Sequence, residues 1–110
     1  MSRLNSVEEV LAALPGRFRP ERAGDMQAVF QFDLTGDEGG QWQAGVANGQ
    51  LQVTPGLAEN PNVTVSLSAK DFLALVNGEL NAMQAFMLGK VKVKGDMALV
   101  MKMLKLFAWS

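Results

Sequence analysis

The stretch SAKDFLALVNGELNAMQAFMLGKVKVKGDMALVMKMLKLF, residues 68–107, decides the fold of this chain. Ser68, with Asp71 three residues later, forms a capping box and predicts the start of a helix. Asn77-Gly78 ends that helix, because glycine readily takes the left-handed conformation that closes a helix. The apolar residues that this helix is expected to bury are Phe72, Leu73, Leu75 and Val76.

A second short helix, a strand and a last helix follow in the same stretch. Asn81 and Gln84 predict the start of the second helix, and Gly89 ends it. Lysine and valine then alternate over 90–94, which is typical of a strand with one face in water. Asp96 caps the last helix. The apolar residues of the second helix are Met83, Phe86, Met87 and Leu88.

The last helix is unusually apolar. At about 100° per residue, its apolar side chains cover an arc of roughly 220°, against about 100° for an ordinary surface helix. A helix packed on one sheet does not need so much apolar surface, so the excess faces a second protein layer, a partner or an apolar ligand. The side chains in this arc are Met97, Leu99, Val100, Met101, Met103, Leu104, Leu106 and Phe107.

Several of these pieces, in this order, resemble the sterol carrier protein type-two family. The main one is the run AFMLGKVKVKGDM at 85–97, followed by an apolar helix that ends in Leu106-Phe107. The others are VTVSLS at 63–68 and Gly40-x-Trp42 ahead of Asn48-Gly49. No single piece is diagnostic, but their order and spacing together make the resemblance specific over most of the chain.

The resemblance implies a function as well as a fold. Members of this family enclose an apolar tunnel between a sheet and its helices, and the tunnel takes fatty acyl chains, acyl-CoA or sterols without chemistry. One departure is Ala82, where many members have a proline that opens the second helix. That change weakens the start signal of the helix and leaves the assignment in place.

Composition sets the bounds of the molecule. A length of 110 residues suits a single domain over 1–110, and 48% hydrophobic residues are enough for a full core. The net charge of −1 offers no attraction to nucleic acid, so no nucleic-acid partner is expected. No apolar run is long enough to cross a membrane. Glu8 and Glu9 interrupt any signal-peptide core, and the end Ala108-Trp109-Ser110 lacks a peroxisomal signal, so we expect a cytoplasmic protein.

The absent residue types argue against catalysis. The chain contains no cysteine, histidine or tyrosine. It therefore lacks a thiolate nucleophile, cysteine ligands for zinc and the side chain that most often transfers protons near neutral pH. We predict no enzyme activity, no catalytic residue, no metal site and no cofactor.

The N-terminal third begins with a helix over 6–14, capped by Ser6 and expected to end at Pro15-Gly16. Residues 17–24 are interpreted as an irregular or one-turn connection. Its arginines could hold a phosphate. A solvated face is the more common role of such a run.

Alternating side chains predict the sheet. Residues 26–35 form a half-buried strand, and Asn48-Gly49 joins the next two strands as a hairpin that pairs Val46 with Leu51 and Ala44 with Val53. The predicted fold class is α+β, with a single five-stranded mixed sheet covered on one face by helices. It consists of a three-strand meander plus two strands joined by a helical crossover, and the crossover is expected to make the fifth strand parallel to the fourth.

The layer between sheet and helices holds the candidate site. A dry core and a tunnel are both open from the residues alone, and the resemblance favours the tunnel. Five of the seven methionines lie in 83–103, and methionine suits a surface that must fit several apolar shapes. The last helix, or its last turn with Phe107 and Trp109, is the expected gate. The predicted ligand-binding residues are Phe30, Phe32, Trp42, Phe72, Val76, Met83, Phe86, Met87, Val100, Met101, Leu104 and Phe107.

The predicted function is non-catalytic binding and carriage of lipids, with an apolar lipid as the ligand. The alternatives are a homodimer or partner-interaction module, and an accessory subunit of a lipid-metabolising enzyme. Lysines at a sheet edge discourage aggregation and also suit anionic head groups, so transient contact with a membrane is a further expectation. A monomer and a homodimer both fit the sequence.

Overall fold

The computed structural model describes residues 4–37 and 39–106, except for the side chain of Leu104. The predictions for Phe107, Trp109 and the terminal tripeptide lie outside the described residues. In chain order the elements are α1 (Val7–Arg17), α2 (Pro20–Ala23), β1 (Ala28–Thr35), β2 (Gly40–Ala47), β3 (Gln50–Pro55), β4 (Val63–Ser68), α3 (Ala69–Val76), α4 (Ala82–Met87), β5 (Lys92–Gly95) and α5 (Met97–Leu106).

The five strands form one mixed sheet in the order β3-β2-β1-β4-β5. The meander β1–β2–β3 is antiparallel, and its hairpin pairs Val46 with Leu51 and Ala44 with Val53, as predicted. Asn48 and Gly49 take φ angles of 54° and 70°, the positive values that a two-residue hairpin loop requires. The predicted fold class is therefore confirmed, and β5 lies at an edge of the sheet.

The predicted direction of β5 was wrong. Strand β5 pairs antiparallel with β4, from Val63 opposite Gly95 to Ser66 opposite Lys92, and the parallel neighbour of β4 is β1. The connection contains the two short helices that were predicted. Its second helix returns the chain to the end of the sheet where β4 finishes, so β5 enters in the opposite direction.

The predicted end of the first helix was also wrong. Helix α1 runs through Pro15 and Gly16 to Arg17. Proline lacks the N–H that would donate to the carbonyl four residues earlier, and its ring crowds that carbonyl, yet the helix continues for two residues beyond Pro15. The Phe18 N–H still donates to the Leu14 carbonyl at 3.0 Å, and Gly16 does not take a positive φ. The following residues form the one-turn helix α2, one of the two predicted alternatives.

The predicted helix caps are present. Side-chain oxygens of four residues accept hydrogen bonds from backbone N–H groups in the first turns, which would otherwise lack partners. The cap residues and their donors are Ser6 with Glu9, Ser68 with Asp71, Asn81 with Met83 and Gln84, and Asp96 with Ala98. Among the described elements, no helix is long and apolar enough to cross a bilayer.

The outer face of the sheet is not entirely exposed to solvent. Gln31 lies on the polar face of β1 but is buried, because the loop after β3 folds over it. The Gln31 side chain accepts from the Ala58 N–H at 2.7 Å and donates to the Gly56 carbonyl at 3.3 Å. Such satisfied hydrogen bonds allow an amide to be buried at low cost. The inner face of the sheet therefore carries the apolar layer. On the outer face, hydrogen bonds from Gln31 hold the loop after β3 against the sheet.

Gly95 ends β5 in a place where no side chain fits. Its φ is 115°, and a Cβ there would clash with the Asn62 carbonyl and lie 3.0 Å from the Val63 Cα. Gly95→Ala is expected to destabilise the protein by about 2–3 kcal/mol through backbone strain. Gly16→Ala is the matched control, since it meets no atom within 4 Å. It should stabilise α1 by about 0.5–1 kcal/mol. Urea unfolding of both variants measures the difference, and an equal effect would contradict this assignment.

Candidate functional site

A cavity of about 430 Å³ lies between the inner face of the sheet and the helices. All five strands line it, together with α1, α3, α4 and α5. Every described lining residue is Ala, Val, Leu, Met, Phe or Trp, so the only polar group among their side chains is the indole N–H of Trp42. A cavity of this size matches that of known small-molecule sites, about 300–1,000 Å³. It can hold an apolar group and offers nothing for acid–base chemistry.

The structure brings most of the predicted ligand-binding residues to this cavity. Met87 is an exception, because its side chain is 80% exposed and is not part of the lining. The Leu104 side chain and Phe107 lie outside what the structure describes. The nine predicted residues that line the cavity are Phe30, Phe32, Trp42, Phe72, Val76, Met83, Phe86, Val100 and Met101.

Other lining residues were missed, although the sequence held a signal for some of them. Ala44, Val46, Leu51 and Val53 share the strand face of Trp42, and hairpin register alone places them there. The valines of the Lys-Val repeat also line the cavity, Val93 from β5 and Val91 from the residue just before it. No short-range pattern in the sequence predicts that α1 lines the cavity. The lining residues that were not predicted from the helices and their connections are Leu11, Leu14, Leu75, Leu80, Ala82, Met97, Met103 and Leu106.

Aromatic rings build the sheet side of the cavity. The rings of Phe32 on β1 and Phe72 on α3 lie 6.2 Å apart between centroids, tilted by 52°, and join sheet to helix. The Trp42 ring lies over Gly40, where a Cβ would sit only 2.7 Å from the ring. Gly40 therefore leaves the space that the indole occupies, which gives the Gly-x-Trp spacing a physical reason.

The mouth of the cavity lies between α4 and the first half of α5. Met83, Phe86, Met97 and Met101 line the cavity and are also exposed to solvent, so they stand at its opening. We expected the gate in the last helix or in its last turn. The opening lies along the first half of α5, whereas the described part of its last turn is anchored. Leu106 is buried, and its carbonyl accepts a hydrogen bond from the Arg19 N–H at 2.7 Å.

The arginines of the connection after α1 serve the fold. The Arg22 guanidinium donates to the Lys105 carbonyl at 3.2 Å, and that of Arg19 donates to the Gly16 carbonyl at 3.1 Å. These hydrogen bonds support a structural role for the two arginines over a phosphate-binding role. Across the described residues, no group of three or more His, Cys, Asp or Glu could hold a metal ion.

The sequence is similar to part of several longer proteins. It is 34% identical over 106 residues to hydroxysteroid dehydrogenase-like protein 2 of Bos taurus, covering 96% of this chain and 25% of that protein. The human protein of the same name is 32% identical over 105 residues, covering 94% and 25%. The chain thus spans about a quarter of the length of the curated relatives that it matches.

Solved structures share the fold. The sec-alkylsulfatase Pisa1 from Pseudomonas sp. matches with a TM-score of 0.83 at 20% identity, over 97% of this chain and 17% of that one. Palmitated SCP2L2 from Aedes aegypti matches with a TM-score of 0.74 at 29% identity, over 92% of this chain and 93% of that one. The family model described as the SCP-2 sterol transfer family matches residues 8–108. This chain therefore belongs to the SCP-2 sterol transfer family.

Proposed function

We propose that this chain binds the apolar part of one lipid molecule in the cavity and carries it without catalysing a reaction. The observation that supports this proposal best is the lining, in which every described residue is apolar and four stand open to solvent at one mouth. Such a surface gains free energy only by taking an apolar group out of water. The nine predicted residues at the cavity are the proposed ligand contacts.

The cavity volume favours a single acyl chain. A methylene occupies about the volume of a water molecule, roughly 30 Å³, so the space accommodates about 14 chain carbons. At about 0.8 kcal/mol per methylene the gross gain is about 11 kcal/mol. After a minimum association cost of about 4 kcal/mol, an affinity on the order of 10 μM remains. Palmitated SCP2L2 of Aedes aegypti supports the same ligand class.

The head group of the ligand is proposed to stay at the mouth. No charged side chain lines the described cavity, and burying an unpaired carboxylate there would cost several kcal/mol or more. A fatty acid, an acyl-CoA or another single-chain lipid can leave its head in water between α4 and α5. Chain length should therefore matter more than head-group type.

Titration with a fluorescent fatty acid tests the proposal. We expect saturable binding that unlabelled palmitate reverses, and no consumption of the ligand. Bound palmitate should also raise the thermal midpoint, since ligand at a hundred times its Kd stabilises by about 2.7 kcal/mol. Absence of saturable binding by a folded chain would overturn the proposal. Organic extraction and mass spectrometry of the purified protein would then identify any ligand that it does hold.

A second proposed role is that of accessory to a lipid-metabolising enzyme. The supporting observation is that the similar curated proteins are named dehydrogenase-like and are about four times longer than this chain. A reading frame for an oxidoreductase, continuous with this chain or adjacent to it, would support the role. We further propose that residues 1–110 form one domain, which limited proteolysis tests. We also propose that this domain works in the cytoplasm, which cell fractionation tests.

A further inference from the structure

Methionine side chains cluster at the mouth of the cavity. Met83, Met97 and Met101 line the cavity from α4 and α5, and they are 52%, 42% and 43% exposed. We name these three the mouth methionines. Met87 is more exposed still, but it does not line the cavity. The three mouth methionines therefore face both the solvent and any ligand in the cavity.

Methionine is the sulfur-containing side chain that an oxidant can attack in this chain. Peroxides react readily with cysteine thiolates, and this chain has no cysteine. When a peroxide oxidises methionine, one of its oxygens forms a bond to the thioether sulfur as the O–O bond breaks. The sulfur loses two electrons and becomes a sulfoxide, while hydrogen peroxide is reduced to water. Because access favours this reaction, the exposed methionines should react before the less exposed ones.

We propose that peroxide oxidation of the mouth methionines is a reversible switch that lowers the affinity of the cavity for lipid. This inference rests on the proposed function. A sulfoxide is polar, whereas every described residue of the lining is apolar. Its oxygen finds no hydrogen-bond donor among the described lining side chains except the indole of Trp42. An oxidised side chain therefore gains more by turning to water than by covering a bound lipid.

The size of the effect follows from the loss of these contacts. Each sulfoxide at the mouth should weaken lipid binding about fivefold, near the lower end of the range for a polar group without its hydrogen bonds. Three sulfoxides together should weaken it on the order of a hundredfold. A bound acyl chain should in turn shield the mouth methionines from peroxide. Met87 lies outside the lining, so a ligand should not shield it.

The exposure of the mouth methionines also makes the change reversible. Methionine sulfoxide reductases, one for each sulfoxide epimer, return the sulfoxide to the thioether. Two thiols are oxidised to a disulfide in that reaction, and the oxygen leaves as water. All three side chains are exposed enough for such an enzyme to reach them. Leucine would fill a similar volume at the mouth but has no sulfur to oxidise.

Peptide mass spectrometry of the full chain after treatment with hydrogen peroxide tests where oxidation occurs. The mouth methionines should oxidise faster than Met26 and Met103, which are less exposed. Palmitate should slow oxidation of the mouth methionines and leave the rate at Met87 unchanged. Mouth methionines that palmitate does not protect, or equal protection of Met87, would overturn the inference.

Titration with a fluorescent fatty acid before and after peroxide tests the switch. Oxidised wild type should bind on the order of a hundredfold more weakly, keep its circular dichroism spectrum, and recover when the reductases and dithiothreitol are added. The triple variant Met83→Leu, Met97→Leu and Met101→Leu should have the same affinity before and after the same peroxide dose. Met87→Leu is the matched control, and its affinity should fall as in wild type.

The outcomes separate this inference from the proposed function. Binding by untreated wild type that oxidation leaves unchanged would overturn the switch alone. An equal fall in the triple variant, or a fall accompanied by unfolding, would do the same. Absence of saturable binding by the untreated folded chain would overturn carriage and the switch together.

Discussion

Phe30→Ala is expected to cost about 3–5 kcal/mol of unfolding free energy, the loss typical of a packed aromatic residue in a core. Phe30 lies in β1 at the centre of the sheet and is only 1% exposed. Its ring belongs to the buried core cluster and also lines the cavity, and pairing with β2 and β4 fixes the backbone on both sides, so the sheet cannot collapse into the space that the ring leaves. Urea unfolding monitored by circular dichroism measures the loss.

Phe86→Ala provides the contrast, because both phenylalanines line the same cavity. Phe86 is 41% exposed at the mouth, so most of the cavity term is absent and the loss should stay near about 1 kcal/mol. Fatty acid affinity should instead fall about tenfold, since the bound chain loses an aromatic contact. A core-type loss in Phe86→Ala, with unchanged affinity, would show that this layer acts only as a core.

Ala44→Phe is expected to abolish most of the binding. Ala44 lies on the inner face of β2 and lines the cavity, so a phenyl ring there enters the space of the ligand. Six ring carbons displace about six methylenes, worth about 5 kcal/mol of binding free energy. The affinity for a fatty acid should fall at least about a hundredfold. The fold should survive, because the ring fills space instead of overpacking a solid core.

Ala47→Phe is the matched control for that variant. Ala47 lies on the same strand, is exposed, and does not line the cavity. The same substitution there should leave affinity unchanged. Isothermal titration of both variants with palmitate gives the comparison, and equal affinities would place the ligand outside this cavity.

Local signals in the sequence predicted most of the fold. The loop Asn48-Gly49 determines the hairpin register by its own geometry, and polar caps start each of the helices α1, α3, α4 and α5. These features depend on residues a few positions apart. A short window of sequence therefore contains all the interactions that determine them.

The predictions failed where contacts between distant segments determine the structure. The partner and direction of β5 depend on how two helices turn between Ser68 and Lys92. The burial of Gln31 depends on hydrogen bonds from a loop about 25 residues away. Neither effect leaves a trace in the local pattern of apolar residues, because alternation alone places Gln31 on the polar side of a half-buried strand.

The part of the candidate site that lies on the sheet was predictable from short-range patterns, and the part that lies on the short helices was not. Strand alternation placed Phe30, Phe32 and Trp42 on the inner face. In a helix of six residues, one position changes the direction of a side chain by about 100°, and packing alone selects the face. Phe86 therefore reaches the cavity while its neighbour Met87 points to solvent.

The uneven burial along the chain has a consequence for its motions. From residue 77 to residue 106, Ala85 and Leu106 are the only buried residues among the described side chains, whereas buried residues recur throughout β1, β2 and β4. Segments with few buried contacts open locally at a lower free energy than global unfolding requires. Helix α4, strand β5 and the first turns of α5 can therefore detach and reclose while the central strands stay paired. An apolar chain held beneath them would raise the cost of that opening and protect their amide hydrogens from exchange.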